Sequence, residues 1–368
     1  VKRVLIADLK PGMLVARTLF GDDGTALLPK NTELSEPDIG KLRQLGIGSI
    51  YIKDSFVDAN IPEVVTINVL ANLAQDLKTS LANLSAEKTV DINTLKMGAS
   101  QLVDDIGKNR HLLPNLEDIH TYDDYLFFHS INVAILSVMT GISLGLHKGD
   151  MADLALGSLL HDIGMIMIDP AILNNQEKLT PQQIAEIQKH PEIGFNILHN
   201  GYEVSATAAH IAYQHHERFD GSGYPRGLRE KQILEHARIA AVADTYHAII
   251  TDHPYRRAYS SSEAVMIIKK LTGTHFDPDV VEAFLSNIAP YPEGSMVLLN
   301  TGNIAQVTMV DRLRPDTPVI QLICDQNGQI LKEKFEIDLR QRSEVAIARP
   351  LTKNESDLIS RRIKPLNT

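Results

Sequence analysis

The chain has 368 residues, a formal net charge of −10, 43% hydrophobic and 22% charged residues, and one cysteine. That length allows about two or three domains, the apolar share is that of a globular rather than a disordered chain, and a single thiol excludes a disulfide framework. The acidic balance argues against binding DNA or RNA duplexes by phosphate neutralisation, while bound cations could still hold a small anionic ligand.

Residues 1–58 predict a small α+β module. Apolar runs at 4–6 and 13–19 and the Gly-Asp-Asp-Gly turn at 21–24 precede a strand at 26–28. Ser35 with Pro37 and Asp38 marks a helix start, Leu42 and Leu45 give it an apolar face, and Gly46 and Gly48 end it before a closing strand at 49–52. The N-terminal run VKRVLIADLKPGM lacks the apolar core of a signal peptide.

Across residues 59–115, Val69, Leu70, Leu73, Leu77, Leu81 and Leu84 recur at spacings of three and four. This predicts a helix that is either packed on a neighbour or a stalk joining two copies of the chain. Residues 116–290 read as consecutive helices, with starts at Asp150, at Thr180 followed by Pro181, and at Ser261 or Ser262 followed by Glu263. The most apolar run, 131–146, carries Asn132, Ser137, Thr140 and Ser143 and is shorter than the ~20 residues of a membrane span. A buried core helix is expected there, and no membrane span. Beyond Pro290, alternation at 296–299, 305–310, 319–324 and 330–334, with an Asn327-Gly328 turn, predicts a small β domain over 291–350. Cys324 falls in that alternation and is expected to be a buried structural thiol in a reducing compartment. Residues 351–368 read as a polar tail.

The chemistry concentrates in His129, His161-Asp162, His190, His215-His216 and Asp244, each in an apolar, helix-forming context. One such histidine is ordinarily a packing residue. Five histidines and two aspartates in one helical domain would each cost roughly 1–3 kcal/mol to bury without partners. A shared metal centre removes that cost, because neutral imidazole and carboxylate are ligands for the same cation. A thiol-free imidazole and carboxylate set suits Fe, Mn, Co, Ni or Zn, and argues against Cys-type structural zinc and all-oxygen calcium sites. An adjacent His-Asp pair can give an imidazole to one cation and a bridging carboxylate to both. Two divalent cations about 3.5–4 Å apart would clamp a phosphodiester beside a bridging water or hydroxide.

The order His129, His161-Asp162, Asp244 resembles the H…HD…D pattern of the HD superfamily of metal-dependent phosphohydrolases. The run HHERFDGSGYP at 215–225 resembles the signature of its HD-GYP branch. The likeness covers about 116–290, including Leu179-Thr180, His190-Pro191, Gly194 and the GTHFDP run at 273–278. It implies a multidomain, mainly α protein with an all-helical HD-type catalytic core, between the small α+β N-terminal module and the small β C-terminal domain. It also implies a bacterial cytoplasmic enzyme that opens cyclic di-GMP to linear pGpG and then to GMP, with iron or manganese as the foremost metals. By the same resemblance His129, His161, Asp162 and Asp244 hold the first cation, with Asp162 bridging, and His190 and His215 complete the second. His161 and Asp162 would thereby be the catalytic pair. His216 is assigned near the substrate or as a partial ligand. Members with three metals carry a Glu where Tyr125 stands, and Asp123 and Asp124 are off that helix face, so two cations are expected. Gly221 and Gly223 would permit positive φ and close ligand approach, Tyr224 would offer a ring or hydroxyl to guanine or phosphate, and Pro225 would stiffen the loop exit.

The chain departs from the family pattern at Met165 and near Asn174, where Lys is usual. His247 replaces an Asp, and His253 stands where Arg often meets phosphate, leaving Arg256 and Arg257 as phosphate partners. A missing charge donor can cost on the order of 2.7–4 kcal/mol in the transition state, so a slow enzyme is expected. The competing reading is a receptor or adaptor that binds the dinucleotide without efficient turnover. A hydrolase of a hybrid cyclic dinucleotide is a third.

Overall fold

The computed structural model describes residues 2–6, 9–16, 19–20, 26–45, 49–53, 64–86, 91–110, 112–113, 125–173, 175, 177–251, 258–352, 355–356 and 358–359. The turn at 21–24, Gly46, Gly48, His111, His120, Asp123, Asp124, Asn174, His253, Arg256 and Arg257 lie outside the described residues, as does the Tyr125 side chain.

In the N-terminal module, β1 (Lys2–Leu5) pairs antiparallel with β4 (Ser49–Ile52), and β2 (Leu19–Phe20) with β3 (Ala26–Leu28). The apolar run at 13–19 is not one strand. Leu14 and Val15 make single bridges to Glu33 and Ile52, and only its last residue enters β2. Helix α1 (Glu36–Gln44) starts as its sequence requires, with Ser35 and Asp38 in a reciprocal capping box. Ile39 and Leu42 face a core of Val15, Leu28, Leu34, Ile50 and Ile52.

The expected helix over 59–115 is two helices, α2 (Ile67–Ser85) and α3 (Ile92–Lys108). Asp91 caps α3 by accepting from the backbone of Asn93 and Thr94. Leu73, Leu77 and Leu81 of α2 and Leu95, Leu102 and Ile106 of α3 are buried in the same core as the helices that follow. The leucine row that suggested a dimerising stalk is thus used inside the chain, and the helical body starts well before residue 116.

That body continues through α4 (Tyr125–Leu144), α5 (Lys148–Leu159), α6 (Pro170–Leu173), α7 (Pro181–Ile187), α8 (His190–Gly201), α9 (Ala206–Gln214), α10 (Glu235–Ile250), α11 (Ser261–Lys270) and α12 (Pro278–Leu285). Thr180 followed by Pro181 starts α7 as predicted, with Gln183 completing a capping box, whereas α5 starts at Lys148 and α11 is capped by Ser260 with Glu263. Helix α4 contradicts the length argument against a span. Residues Phe127–Leu144 are long and apolar enough to cross a membrane by composition alone, but 78% of that window is buried within the protein, as in a core helix.

The β domain is a five-stranded antiparallel sheet in the order β8-β7-β6-β5-β9, from β5 (Met296–Leu299), β6 (Ile304–Asp311), β7 (Arg314–Cys324), β8 (Ile330–Asp338) and β9 (Ile347–Pro350). Gly328 turns the β7–β8 hairpin at φ +74°, and Cys324 is buried. The tail is not wholly solvated: Ile359 packs on Ile323 and Cys324, and Glu355 receives two hydrogen bonds from Arg349. Arg312 donates to Asn287 at 2.6 Å, tying the sheet to the end of α12.

Two glycines bring the site elements together. The turn of 3-10 helix at Ile163–Met167 lies on the start of α8 so closely that a Cβ on Gly164 would collide with the His190 carbonyl and the Gly194 nitrogen. A Cβ on Gly157 of α5 would meet the Ala208 carbonyl of α9 at 2.9 Å. Gly164→Ala is expected to cost about 1–3 kcal/mol in urea unfolding, because rigid backbone must give way. Gly40→Ala, in α1 with nothing within 4 Å of the added Cβ, is expected to be neutral or to stabilise by up to about 1 kcal/mol. Equal effects of the two changes would refute the close-approach reading.

Candidate metal centre

Helices α5, α8 and α9 deliver three histidines by one device. His161 follows the end of α5, His190 follows the end of α7 and opens α8, and His215 caps α9. The last carbonyls of a helix have no intrahelical partner. Here each accepts the Nδ1–H of the histidine three residues on: Ser158 from His161 at 2.8 Å, Ile187 from His190 at 2.7 Å and Ala212 from His215 at 2.9 Å. A carbonyl only accepts, so Nδ1 must carry a proton in all three rings. Each Nε2 is left as the outward-facing nitrogen.

These Nε2 atoms converge on Asp162. Its Oδ2 lies 3.4 Å from His161 Nε2, and its Oδ1 lies 3.3 Å from His190 Nε2 and 3.5 Å from His215 Nε2. The His190 and His215 Nε2 atoms are 3.3 Å apart, two lone pairs facing each other and a carboxylate. The Nε2 of His161 is buried and has no hydrogen-bond partner among the described residues. Such a cluster is repulsive unless a positive charge enters it. Across the site, Asp244 of α10 lies 3.1 Å from His129 Nε2 and 4.0 Å from His161 Nε2.

Two groups of ligand atoms result, Asp162, His190, His215 and His216 in one and His129, His161 and Asp244 in the other, each within 4.8 Å of one another. All seven residues expected from the sequence are brought together, and Asp162 turns one oxygen to each side. His216, set apart as a substrate neighbour or partial ligand, falls in with the first group. The donor set contains no thiolate and fits hard or borderline divalent cations.

The local fields follow from this geometry. Burial opposes charge on His161, but Asp162 and Asp244 outweigh it and raise the imidazole to about 9. Burial would raise Asp162 and Asp244, yet the histidines facing them hold both carboxyls well below the ordinary range. Burial lowers His215, and lowers His216 further with His215 beside it.

The loop after His216 is built against the site. Tyr224 stacks on the His216 ring at 4.8 Å between centroids, and its NH donates to the His216 carbonyl at 3.2 Å. Burial beside Asp244 and Asp162 raises the Tyr224 phenol, which keeps it protonated. Gly221 takes φ +80°, as expected. Gly223 does not need positive φ; a Cβ there would collide with the backbone of Arg218 and His216, so the chain's own packing fills the space expected for a ligand. Pro225 is exposed at the loop surface. Met165 is half-buried in the 3-10 turn after Asp162. His253 and Arg256 lie outside the described residues, so their predicted contacts with phosphate have no geometry here.

Two residues were given no role by the sequence reading. Glu217, only 3% exposed, accepts from the backbone NH groups of Arg226 at 2.8 Å and Leu228 at 2.9 Å and pins the loop. His247, read as ambiguous, is fully buried, with Nδ1 2.9 Å from His129 Nδ1. Its spacing of three from Asp244 on α10 was the available signal.

Residues 96–280 match the family model described as an HD domain, and residues 296–358 match a KOW domain associated with HD domains. The cyclic di-GMP phosphodiesterase PA4108 of Pseudomonas aeruginosa is 30% identical over 343 residues, covering 83% of this chain and 81% of that protein. The cyclic di-GMP phosphodiesterase of Thermotoga maritima is 36% identical over 176 residues, covering 48% of this chain and 46% of that protein. Among solved structures, the HDG"Y"P protein Bd1817 from Bdellovibrio bacteriovorus aligns with a TM-score of 0.52 at 18% identity, over 77% of this chain and 97% of that one, a likeness of fold.

The raised His161 sets a pH dependence for cation uptake. Below about 9 the cation-free site holds a proton on His161 that an incoming cation must displace. Apparent affinity for a divalent cation is therefore expected to climb from neutral pH, by up to about tenfold per unit, and to level off above that value. Calorimetric titrations in buffers of different ionisation enthalpy would read the released proton. Affinity that is flat across this interval would contradict the assignment.

Proposed function

The chain belongs to the HD-domain family, in its HD-GYP branch, and on that premise we propose that it is a metal-dependent phosphodiesterase that hydrolyses cyclic di-GMP to linear pGpG and then to GMP. The observation that carries this reading is the convergence of three tautomer-fixed Nε2 atoms on the two oxygens of Asp162. A relative along most of the chain is named a cyclic di-GMP phosphodiesterase.

In this reading His129, His161 and Asp244 would hold one cation and His190, His215 and His216 the other, with Asp162 offering one oxygen to each group. Iron or manganese is what the family resemblance implies, and the donor set accepts either. When bound, the two cations supply Lewis acidity at the phosphodiester and lower the pKa of the attacking water. The chain's own residues do the rest. Asp162 and Asp244 stay ionised and anchor the positive charge that an acidic protein needs to hold an anionic ligand. The protonated Tyr224 hydroxyl can donate to a phosphate oxygen or a guanine edge, and its ring is already braced on His216. In this reading turnover is slow, because Met165 supplies no charge where the family pattern has Lys.

Metal-loaded protein incubated with cyclic di-GMP, with products separated by chromatography, is expected to yield pGpG first and GMP later. Replacing His161 and Asp162 together by Ala should remove both bound metal and turnover. Met165→Lys should raise kcat, by as much as about a hundredfold if the added charge reaches the scissile phosphate. Tight binding with intact cyclic dinucleotide at stoichiometric protein would favour the receptor instead.

A further inference from the structure

His129 cannot use the device that fixes the other histidines. It lies in the second turn of α4, where the backbone carbonyls are taken up by the helix itself. Its Nδ1 meets His247 Nδ1 at 2.9 Å, and His247 Nε2 meets the side-chain amide of Asn132 at 3.0 Å. All three side chains are buried, with Asn132 and His247 wholly inaccessible. Unlike a carbonyl, a neutral imidazole can donate or accept at either nitrogen, and an amide offers an NH2 at one end and an oxygen at the other. This chain of hydrogen bonds can therefore run in either direction.

In one direction Asn132 Nδ2 donates to His247 Nε2, His247 Nδ1–H donates to His129 Nδ1, and His129 Nε2–H donates to Asp244 Oδ1, 3.1 Å away. That is the arrangement of the amide in the structure, which leaves Asn132 Oδ1 buried without a partner. It places a proton on the nitrogen that faces the cation site. In the other direction His129 Nδ1–H donates to His247 Nδ1, and His247 Nε2–H donates to Asn132 Oδ1 after a half-turn of the amide. His129 Nε2 is then a free lone pair. Each imidazole carries one proton in both arrangements. Reversal moves the His247 Nδ1 proton across to His129, releases the His129 Nε2 proton and returns one to His247 Nε2, with no net charge change.

We propose that Asn132 and His247 are positioning residues whose hydrogen-bond direction decides whether His129 is open to a cation, so that the cation beside His129 is the exchangeable one. This rests on the metal-dependent reading above, and it adds a specific asymmetry: of the five ligating histidines, His161, His190 and His215 are locked by carbonyls, whereas His129 is reversible. Partners of this kind typically change metal affinity by 10–100-fold.

The test is manganese binding to metal-stripped protein, by chelator competition with stoichiometry from elemental analysis, together with nitrogen-15 spectra of the imidazoles. Wild type should take up two equivalents, the weaker one accompanied by a change of His129 tautomer. His247→Leu should weaken that equivalent about 10–100-fold and leave the tighter one unchanged. Asn132→Leu should do the same. Asn132→Asp is nearly isosteric and can only accept, so it should keep or tighten the weaker equivalent. An Asn132→Asp protein as impaired as Asn132→Leu, or a His247→Leu protein with both equivalents intact, would overturn the proposal. Wild-type protein that binds no manganese would instead overturn the metal-dependent reading itself. Urea unfolding of each variant separates loss of a site from loss of the fold.

Discussion

The site depends on unpaired carbonyls at helix C-termini. Three helices end just before a histidine, and each ending gives an acceptor that forces the ring proton onto Nδ1. Without that constraint the imidazoles around Asp162 could trade protons and settle into an ordinary hydrogen-bonded cluster. With it, their Nε2 atoms have no internal solution, and only an added proton or a cation relieves them. Asp162 and Asp244 raise the His161 imidazole, which favours a proton in that place when no cation is present. A defect of helix geometry, the unsatisfied last turn, thus becomes the means of orienting ligands.

Orientation alone would not suffice if the helices stood at normal separations. The turn bearing Asp162 reaches His190 because Gly164 and Gly194 let two backbones touch, and α5 reaches α9 because Gly157 presents no side chain to Ala208. The interior of α4, α5 and α10 is filled by Ile131, Leu136, Leu154, Ile239 and Val242, which hold these spacings by packing. Stability and ligand placement therefore use the same contacts.

Much of this was legible in the sequence because the signals are local. Ser35 with Asp38 and Thr180 with Gln183 write helix starts into adjacent residues, and HHERFDGSGYP identifies its loop unaided. The seven polar residues could be grouped because each interrupts an apolar helical pattern. What was not legible depends on contacts between distant segments. The fate of the leucines at 73, 77 and 81 turns on whether another helix of the same chain covers them, and periodicity is identical in a stalk and in a core. The pairing of His247 with His129 across 118 positions required the packing itself. Gly223 was misread for a related reason: a glycine that admits a ligand and one that admits its own backbone look alike in sequence.

The family signature and the last aspartate of the site form one mechanical unit, although they are far apart in the chain. From His216, Glu217 pins Arg226 and Leu228, so the loop carrying Tyr224 is closed on itself. The far side of that loop docks on the 273–278 run, where the Thr274 and His275 carbonyls accept from Asp220 at 2.8 Å and Phe219 at 3.0 Å. Asp277 of the same run caps α12 and is ion-paired, largely buried, with Arg238 of α10, the helix that presents both Asp244 and His247. A buried pair of this kind tolerates little displacement, because separating the charges would strand them in a low dielectric. The aromatic platform and the carboxylate beneath it are therefore fixed relative to each other by the GTHFDP run. That explains why a segment with no side chain in the metal centre belongs to the pattern that defines it.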